Sequence, residues 1–82
     1  MIDVREAVER AVEYMRSLPA QGDVREILLE EVELSDDERH WLITLSYAVG
    51  DTPFAPFVRK YKTFKVETNS GRVVAMKIRE VR

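Results

Sequence analysis

The 82-residue sequence contains no cysteine, so disulfides cannot brace a small core, and thiolate nucleophiles and cysteine-based zinc sites are excluded. It has one histidine, His40, and no Ser-His-Asp or Cys-His set with supporting partners can be assembled around it. Nowhere do about 18 consecutive apolar residues occur, as a membrane-spanning helix would need. The opening Met1-Ile-Asp-Val-Arg-Glu6 alternates charge and has no apolar run of signal-peptide length. The expectation is therefore a soluble, cytoplasmic, non-enzymatic chain with no cofactor, no metal and no membrane partner. No internal repeat or low-complexity tract interrupts it. Glycine and proline are scarce, three of each, and they mark the breaks between elements.

What is present is an ordinary globular composition, 45% hydrophobic, in a chain too short to divide its apolar side chains between two cores. One domain over residues 1–82, with a thin core, is expected. The charge is unevenly placed. Residues 1–41 carry five arginines against twelve acids, whereas residues 42–82 carry eight basic residues against three acids. Such a division suits either a dipolar surface that attracts a partner or charge balance between solvated faces of one molecule, and the second is the commoner situation.

The hairpin around Asn69-Ser70-Gly71 is the most legible stretch. A type I turn followed by glycine in the left-handed region predicts a three-residue connection. Thr68 would then pair with Arg72, Val66 with Val74, Phe64 with Met76 and Lys62 with Ile78. Tyr61, Thr63, Lys65 and Glu67, with Arg79, Lys77, Ala75 and Val73, would take the opposite face. Earlier in the chain, Val4, Ala7, Val8, Ala11, Val12, Met15 and Leu18 recur at three- and four-residue spacing, which predicts an amphipathic helix over Asp3 to Ser17. Asp3 suits its N-cap with Glu6 three residues on, and Pro19 to Gly22 suits its exit.

Residues 23–31 read either as helix or as strand, because Asp23-Val-Arg-Glu26 resembles a helix start while Val32-Glu33-Leu34 alternates. A strand over Glu26 to Leu34 is preferred, since Ser35-Asp-Asp-Glu38 suits a hairpin turn into the alternating Arg39 to Val49. That second strand puts Trp41, Ile43, Leu45, Tyr47 and Val49 on one face and His40, Leu42, Thr44, Ser46 and Ala48 on the other. Gly50 to Pro56 is a loop, and the third strand opens at Phe57 or Val58. The predicted architecture is α+β: an N-terminal helix packed on one face of a four-stranded antiparallel meander, against Trp41, Ile43, Leu45, Phe64, Val66, Val74, Met76 and Ile78.

This order, with Trp41-Leu-Ile-Thr-Leu45 in a strand and Phe64-Lys-Val-Glu-Thr-Asn-Ser-Gly-Arg-Val73 as a hairpin, resembles the PepSY family, within the broader cystatin-like wrapping of a sheet around a helix. The resemblance covers nearly the whole chain. It implies a small binding or regulatory domain. The chain has Glu67 and Ser70 where the family's hairpin has Asp and Thr, and no Gln-x-Val-x-Gly segment matches the inhibitory wedge of cystatins.

Two sets of residues are candidate contact sites. Phe54 and Phe57 lie in the proline-rich loop 52–57, where stiff aromatics serve as anchors for a partner or else plug the core. Tyr61, Lys65, Lys77 and Arg79 form a basic face with one aromatic. A protein-interaction module with an unidentified protein partner is the first reading, and a homo-oligomer through the outer sheet face or an edge strand is compatible with it. Weak single-stranded nucleic-acid binding by the basic hairpin is the alternative. It is disfavoured because only Tyr61 is available where two or three stacking rings are wanted. His40 beside Asp36, Asp37 and Glu38 is read as a solvated turn rather than a cation site.

Overall fold

The structure is a computed structural model that describes residues 1–18, 23–50 and 58–80. Helix α1 (Val4–Ser17) is followed by strands β1 (Asp23–Leu34), β2 (His40–Gly50), β3 (Val58–Glu67) and β4 (Val73–Arg79). The strands form one antiparallel sheet in the order β1-β2-β3-β4, and α1 packs on one face of it, as the sequence predicts. Among the described residues no helix is long and apolar enough to cross a membrane.

The helix begins where Asp3 leaves the extended region and its carboxylate accepts the Glu6 N–H at 2.9 Å. This is half of a capping box, because the Glu6 side chain turns instead to Arg10 one turn on, at 3.4 Å. Ala7, Ala11 and Met15 form the buried stripe, at a spacing of four residues. Two alanines let the helix backbone sit close to the sheet, over Ile43, Leu45, Phe64 and Val66, which are fully buried. Tyr14 meets Phe64 edge-on, with ring centroids 6.2 Å apart, a geometry worth about 0.5 to 1.5 kcal/mol beyond area burial.

Strand β1 is longer than predicted, starting at Asp23, and it explains why its sequence does not alternate. Its pairing with β2 slips between Arg25 and Leu28 and again between Leu29 and Glu31. Each slip adds one residue to β1, and each extra residue changes which face the side chains take. Glu26, at the first bulge, has φ +52. Val24, Ile27 and Val32 can therefore all pack toward the core although their spacing is three and five. Strand β2 runs His40–Gly50, one residue later than expected at each end, and is central, with Ile43, Leu45 and Tyr47 buried on the helix side.

The last hairpin departs from its predicted register near the turn. Phe64 faces Met76, Lys62 faces Ile78 and Lys65 faces Ala75, as expected, but Val66 pairs with Val73 and not Val74. The ladder closes with the Glu67 N–H donating to the Arg72 carbonyl (2.9 Å) and the Gly71 N–H to the Glu67 carbonyl (2.8 Å). Four residues, 68–71, thus form the loop, and Thr68 does not pair with Arg72. The residue gained by the loop is absorbed as a bulge beside Val74. Val73 then packs on the core where an outward position was expected. Val74 and Ile78, both expected in the core, are 40% and 80% exposed.

Thr68 is released by this shift to serve another purpose. Its N–H donates to the Arg39 carbonyl (2.8 Å), its carbonyl accepts the Ile2 N–H (2.7 Å), and its buried hydroxyl reaches the carbonyls of Glu38 and Arg39, each at 3.0 Å. Two predictions follow from the two residues that set this corner. Gly71 is buried at φ +75, and a Cβ there would lie 3.3 Å from Arg10 Nε. Gly71→Val should cost on the order of 1 to 3 kcal/mol, with exposed Asn69→Ala as a near-neutral control, read as the difference in urea midpoints. Thr68→Val keeps the shape but removes the buried hydroxyl and its bonds to the Glu38 and Arg39 carbonyls, and should cost about 0.5 to 1.5 kcal/mol. A wild-type midpoint for Thr68→Val would show that the backbone bonds alone hold the corner.

Candidate functional site

On the face away from the helix, strand pairing sets the side chains in rows. Glu33, Leu42, Lys65 and Ala75 form the first row. Glu31, Thr44, Thr63 and Lys77 form the second, and Leu28, Ser46, Tyr61 and Arg79 the third. The middle of this face is lined by small polar side chains, and Thr44, Ser46 and Ala48 are buried there without any helix above them. Long charged side chains close over them instead, their stems lying along the sheet.

Arg79 reaches from β4 across two strands to the Glu31 carboxylate at 2.8 Å and to Thr44 Oγ1 at 3.2 Å. Thr44 and Thr63 share a hydrogen bond of 2.9 Å. One row lower, Ser46 donates to Glu30 at 2.6 Å, and Arg59 donates to Ser46 Oγ at 2.8 Å and pairs with the Glu26 carboxylate at 3.0 Å. Arg59 also bonds the Glu26 carbonyl at 3.2 Å, which the left-handed bulge brings into reach. The two bulges of β1 are what place Glu26 and Glu30 here. Beside Arg79, on the side away from Arg59, lies a shallow depression of about 240 Å³, lined by Glu31, Glu33, Leu42, Thr44, Thr63 and Arg79.

Of the residues predicted as contacts, Tyr61, Lys65, Lys77 and Arg79 share this outer face. Tyr61 is half-buried between Ser46 and Arg79, and Lys65 and Lys77 are exposed. Phe54 and Phe57 lie outside the described residues. The sequence reading did not foresee that Glu26, Glu30, Glu31 and Glu33 would share the face with the basic residues, so that it is bipolar rather than positive. A signal was present: outward positions of a central strand occupied by Thr, Ser and Ala imply cover by long side chains from the flanking strands. Chemically the arrangement favours structure over catalysis. The Ser46 hydroxyl that meets Glu30 is fully buried and has no path to a substrate.

The helix-side face has a different character. Helix α1, at 14 residues, is about 21 Å long, while 11-residue β2 runs about 36 Å, so the helix spans the sheet only in part. In the row past Phe64, Leu45 is buried at the centre, but Leu29 and Ile78 at the two ends are 51% and 80% exposed; Val58, two rows further, is 58% exposed. Between them Lys62 holds its ammonium 5.6 Å from the centroid of the Tyr47 ring. Burial raises the Tyr47 hydroxyl pKa above the usual tyrosine value, with Lys60 opposing.

His40 and its acidic neighbours form a turn with its own hydrogen bonds. Asp37 accepts from Ser35 Oγ (2.7 Å) and from the Arg39 N–H (3.0 Å), and Glu38 closes the turn at φ +57. Among the described residues no three His, Asp or Glu side chains converge as metal ligands. The chain matches no protein-family model, no curated protein and no solved structure at a level that establishes kinship.

Hydrogen bonds from Ser35 and then from the Arg39 N–H hold the Asp37 carboxyl below the usual aspartate value. A depressed folded-state pKa means that the unfolded chain takes up the proton first. The contribution of Asp37 is therefore present above the unfolded value of about 3.9 and is lost as pH falls through the lower folded value. Asp37→Asn should flatten that part of the stability profile between about pH 4 and pH 2, measured by urea midpoints at successive pH. A profile parallel to wild type would mean that the carboxylate charge is irrelevant to the turn.

Proposed function

We propose that this chain is a small non-enzymatic protein-interaction module that meets its partner at the end of the sheet beyond the helix. The observation that carries the reading is the exposure of Leu29, Val58 and Ile78, each more than half accessible on the helix-side face. Apolar side chains left open beyond the reach of a covering helix, Leu29 and Ile78 at the two edges and Val58 further along, are an unfinished core. Their burial is worth about 25 cal/mol for each Å² removed from water. The helix-then-meander order is in keeping with the PepSY-like or cystatin-like resemblance, and that kinship is part of the proposal.

The nucleic-acid alternative draws less support. Lys65 and Lys77 are open, but four glutamates of β1 share their face and Arg59 and Arg79 are taken up in ion pairs with two of them. A phosphate backbone approaching that face would meet carboxylates as well as cations, and the affinity of such modules depends on net neutralised phosphates.

The test is a double variant, Leu29→Lys with Val58→Lys, which changes only side chains already largely in solvent. Immobilised wild-type chain should retain a defined protein from an extract of the cells that express it, and the variant should retain less than about a tenth as much at an unchanged urea midpoint, a ratio equivalent to about 1.4 kcal/mol. Equal retention by both chains would place the contact elsewhere. Turnover of a small substrate by the purified chain would replace this reading with an enzymatic one.

A further inference from the structure

We infer that the depression beside Arg79 is a binding site for a small zwitterion, a free α-amino acid, which sets its carboxylate on the Arg79 guanidinium and its ammonium on Glu33.

The sheet arranges the charges around this depression. Glu31 and Glu33 rise from β1 on one side, Arg79 reaches over from β4 on the other, and Leu42, Thr44 and Thr63 lie between them. Lys65 stands in the row of Glu33 and Leu42, and Lys77 in the row of Glu31, Thr44 and Thr63. The β1 side is therefore acidic and the opposite side basic. A ligand with net charge meets attraction and repulsion together, whereas a zwitterion turned with its ammonium toward β1 meets attraction at both ends.

Both key groups have bonding capacity left. Arg79 makes its bonds to Glu31 and to Thr44 Oγ1 through the same atom, Nη1. Its Nη2 and Nε have no partner among the described residues, and a guanidinium presents its donors as a planar fork that matches a carboxylate. Two bonds at Nη1 hold that fork in place before any ligand arrives, so less rotamer freedom remains to be lost on binding. The Glu33 carboxylate likewise makes no hydrogen bond or ion pair among the described residues, while Thr44 and Thr63 bond each other.

Size and span select the ligand. At about 240 Å³ the depression is smaller than the roughly 300 to 1,000 Å³ that holds a drug-sized molecule. Glu31 and Glu33 are two residues apart on one face of β1, about 6.8 Å along the strand, and the guanidinium is held at Glu31. The gap from there to Glu33 suits one short molecule with a charge-assisted hydrogen bond of about 2.8 Å at each end, which requires both charges to be attached to a single carbon. Leu42 is left to touch the side chain of such a ligand. Both ion pairs stay partly in water, which screens them, and dissociation in the millimolar range is expected.

The test is a titration of the isotope-labelled full chain, followed by its amide resonances, with three probes: L-leucine, N-acetyl-L-leucine, which has no ammonium, and L-leucinamide, which has no carboxylate. L-leucine should give saturable shifts at Glu33, Leu42, Thr44 and Thr63 in the millimolar range. Each blocked probe should bind about tenfold more weakly, a loss equivalent to about 1.4 kcal/mol. Glu33→Gln, a change at an exposed position, should lower the affinity for L-leucine about tenfold at an unchanged urea midpoint and leave that for N-acetyl-L-leucine as it was. Absence of a saturable shift up to the solubility limit of L-leucine would overturn the inference. Equal binding of the three probes, or of L-leucine by wild type and Glu33→Gln, would overturn it as well, since an adventitious surface contact does not need both charges. The depression and the apolar end lie on opposite faces of the sheet, so Leu29→Lys with Val58→Lys should bind L-leucine as wild type does. Loss of binding in that variant would place the ligand elsewhere and refute the site, whereas failure of the protein-interaction reading alone leaves it standing.

Discussion

The fold is held in register at Thr68, where three separate parts of the chain meet on one peptide unit and one hydroxyl. Its N–H and hydroxyl hold the β1–β2 turn through Arg39 and Glu38, and its carbonyl holds Ile2. Ile2 in turn accepts from the Trp41 indole at 3.1 Å, so the start of α1 is anchored to both the corner and the central strand. The helix thus has little freedom to slide along the sheet. Its buried stripe of Ala7, Ala11 and Met15 can only fall on the rows led by Trp41, Ile43 and Leu45. Thr68 itself is buried while its partners are half-buried or exposed, so these bonds chiefly keep the Thr68 polar groups satisfied away from water.

Fixing one end of a short helix at one end of a long sheet has an unavoidable result. About 21 Å of helix laid from that corner leaves the far third of the strands to find cover in another way. On the outer face the problem is solved within the chain, since arginine and glutamate stems close over Thr44, Ser46 and Ala48. On the helix side it is solved only at the centre, where Leu45 and Tyr47 are buried while Leu29, Val58 and Ile78 remain open. The same anchoring that specifies the core thereby generates the surface on which the functional proposal stands.

Much of this was legible in the sequence, and the parts that were not share one physical cause. Helix, central strand, outer pairing of the last hairpin and the α+β arrangement follow from period, turn residues and β-branched content. These are local signals. Bulges are not, because an extra residue in one strand is chosen by the strand opposite and by what the displaced side chain can reach. Glu26 and Glu30 bulge toward Arg59 and Ser46, residues far along the chain, and β1 consequently reads as half helix, half strand. Val74 is misread for a related reason: Gly71 correctly predicts a left-handed turn position, but whether three or four residues form the loop is decided by the Thr68 hydrogen bonds to Arg39 and Ile2. Lys65, Lys77, Tyr61 and Arg79 do share one face. Their electrostatic meaning was hidden, because it depends on which residues of β1 the bulges turn toward them.

The uneven charge of the two halves then has a structural explanation. The acids of β1 and the bases of β3 and β4 are placed across one sheet face, where Arg59 meets Glu26 and Arg79 meets Glu31. Each pair is partly exposed and contributes little stability by itself, of order 1 kcal/mol or less after screening. Their larger effect is on what can approach. A face on which both signs are largely matched has no strong field to offer a charged ligand, so association there would gain little from electrostatic steering and depend only weakly on salt. What charge pairing does not neutralise is the set of apolar side chains beyond the helix, Leu29, Val58 and Ile78. Contacts of that kind are short-range, so under the proposed function a partner would have to match shape over a few residues rather than be drawn in by charge.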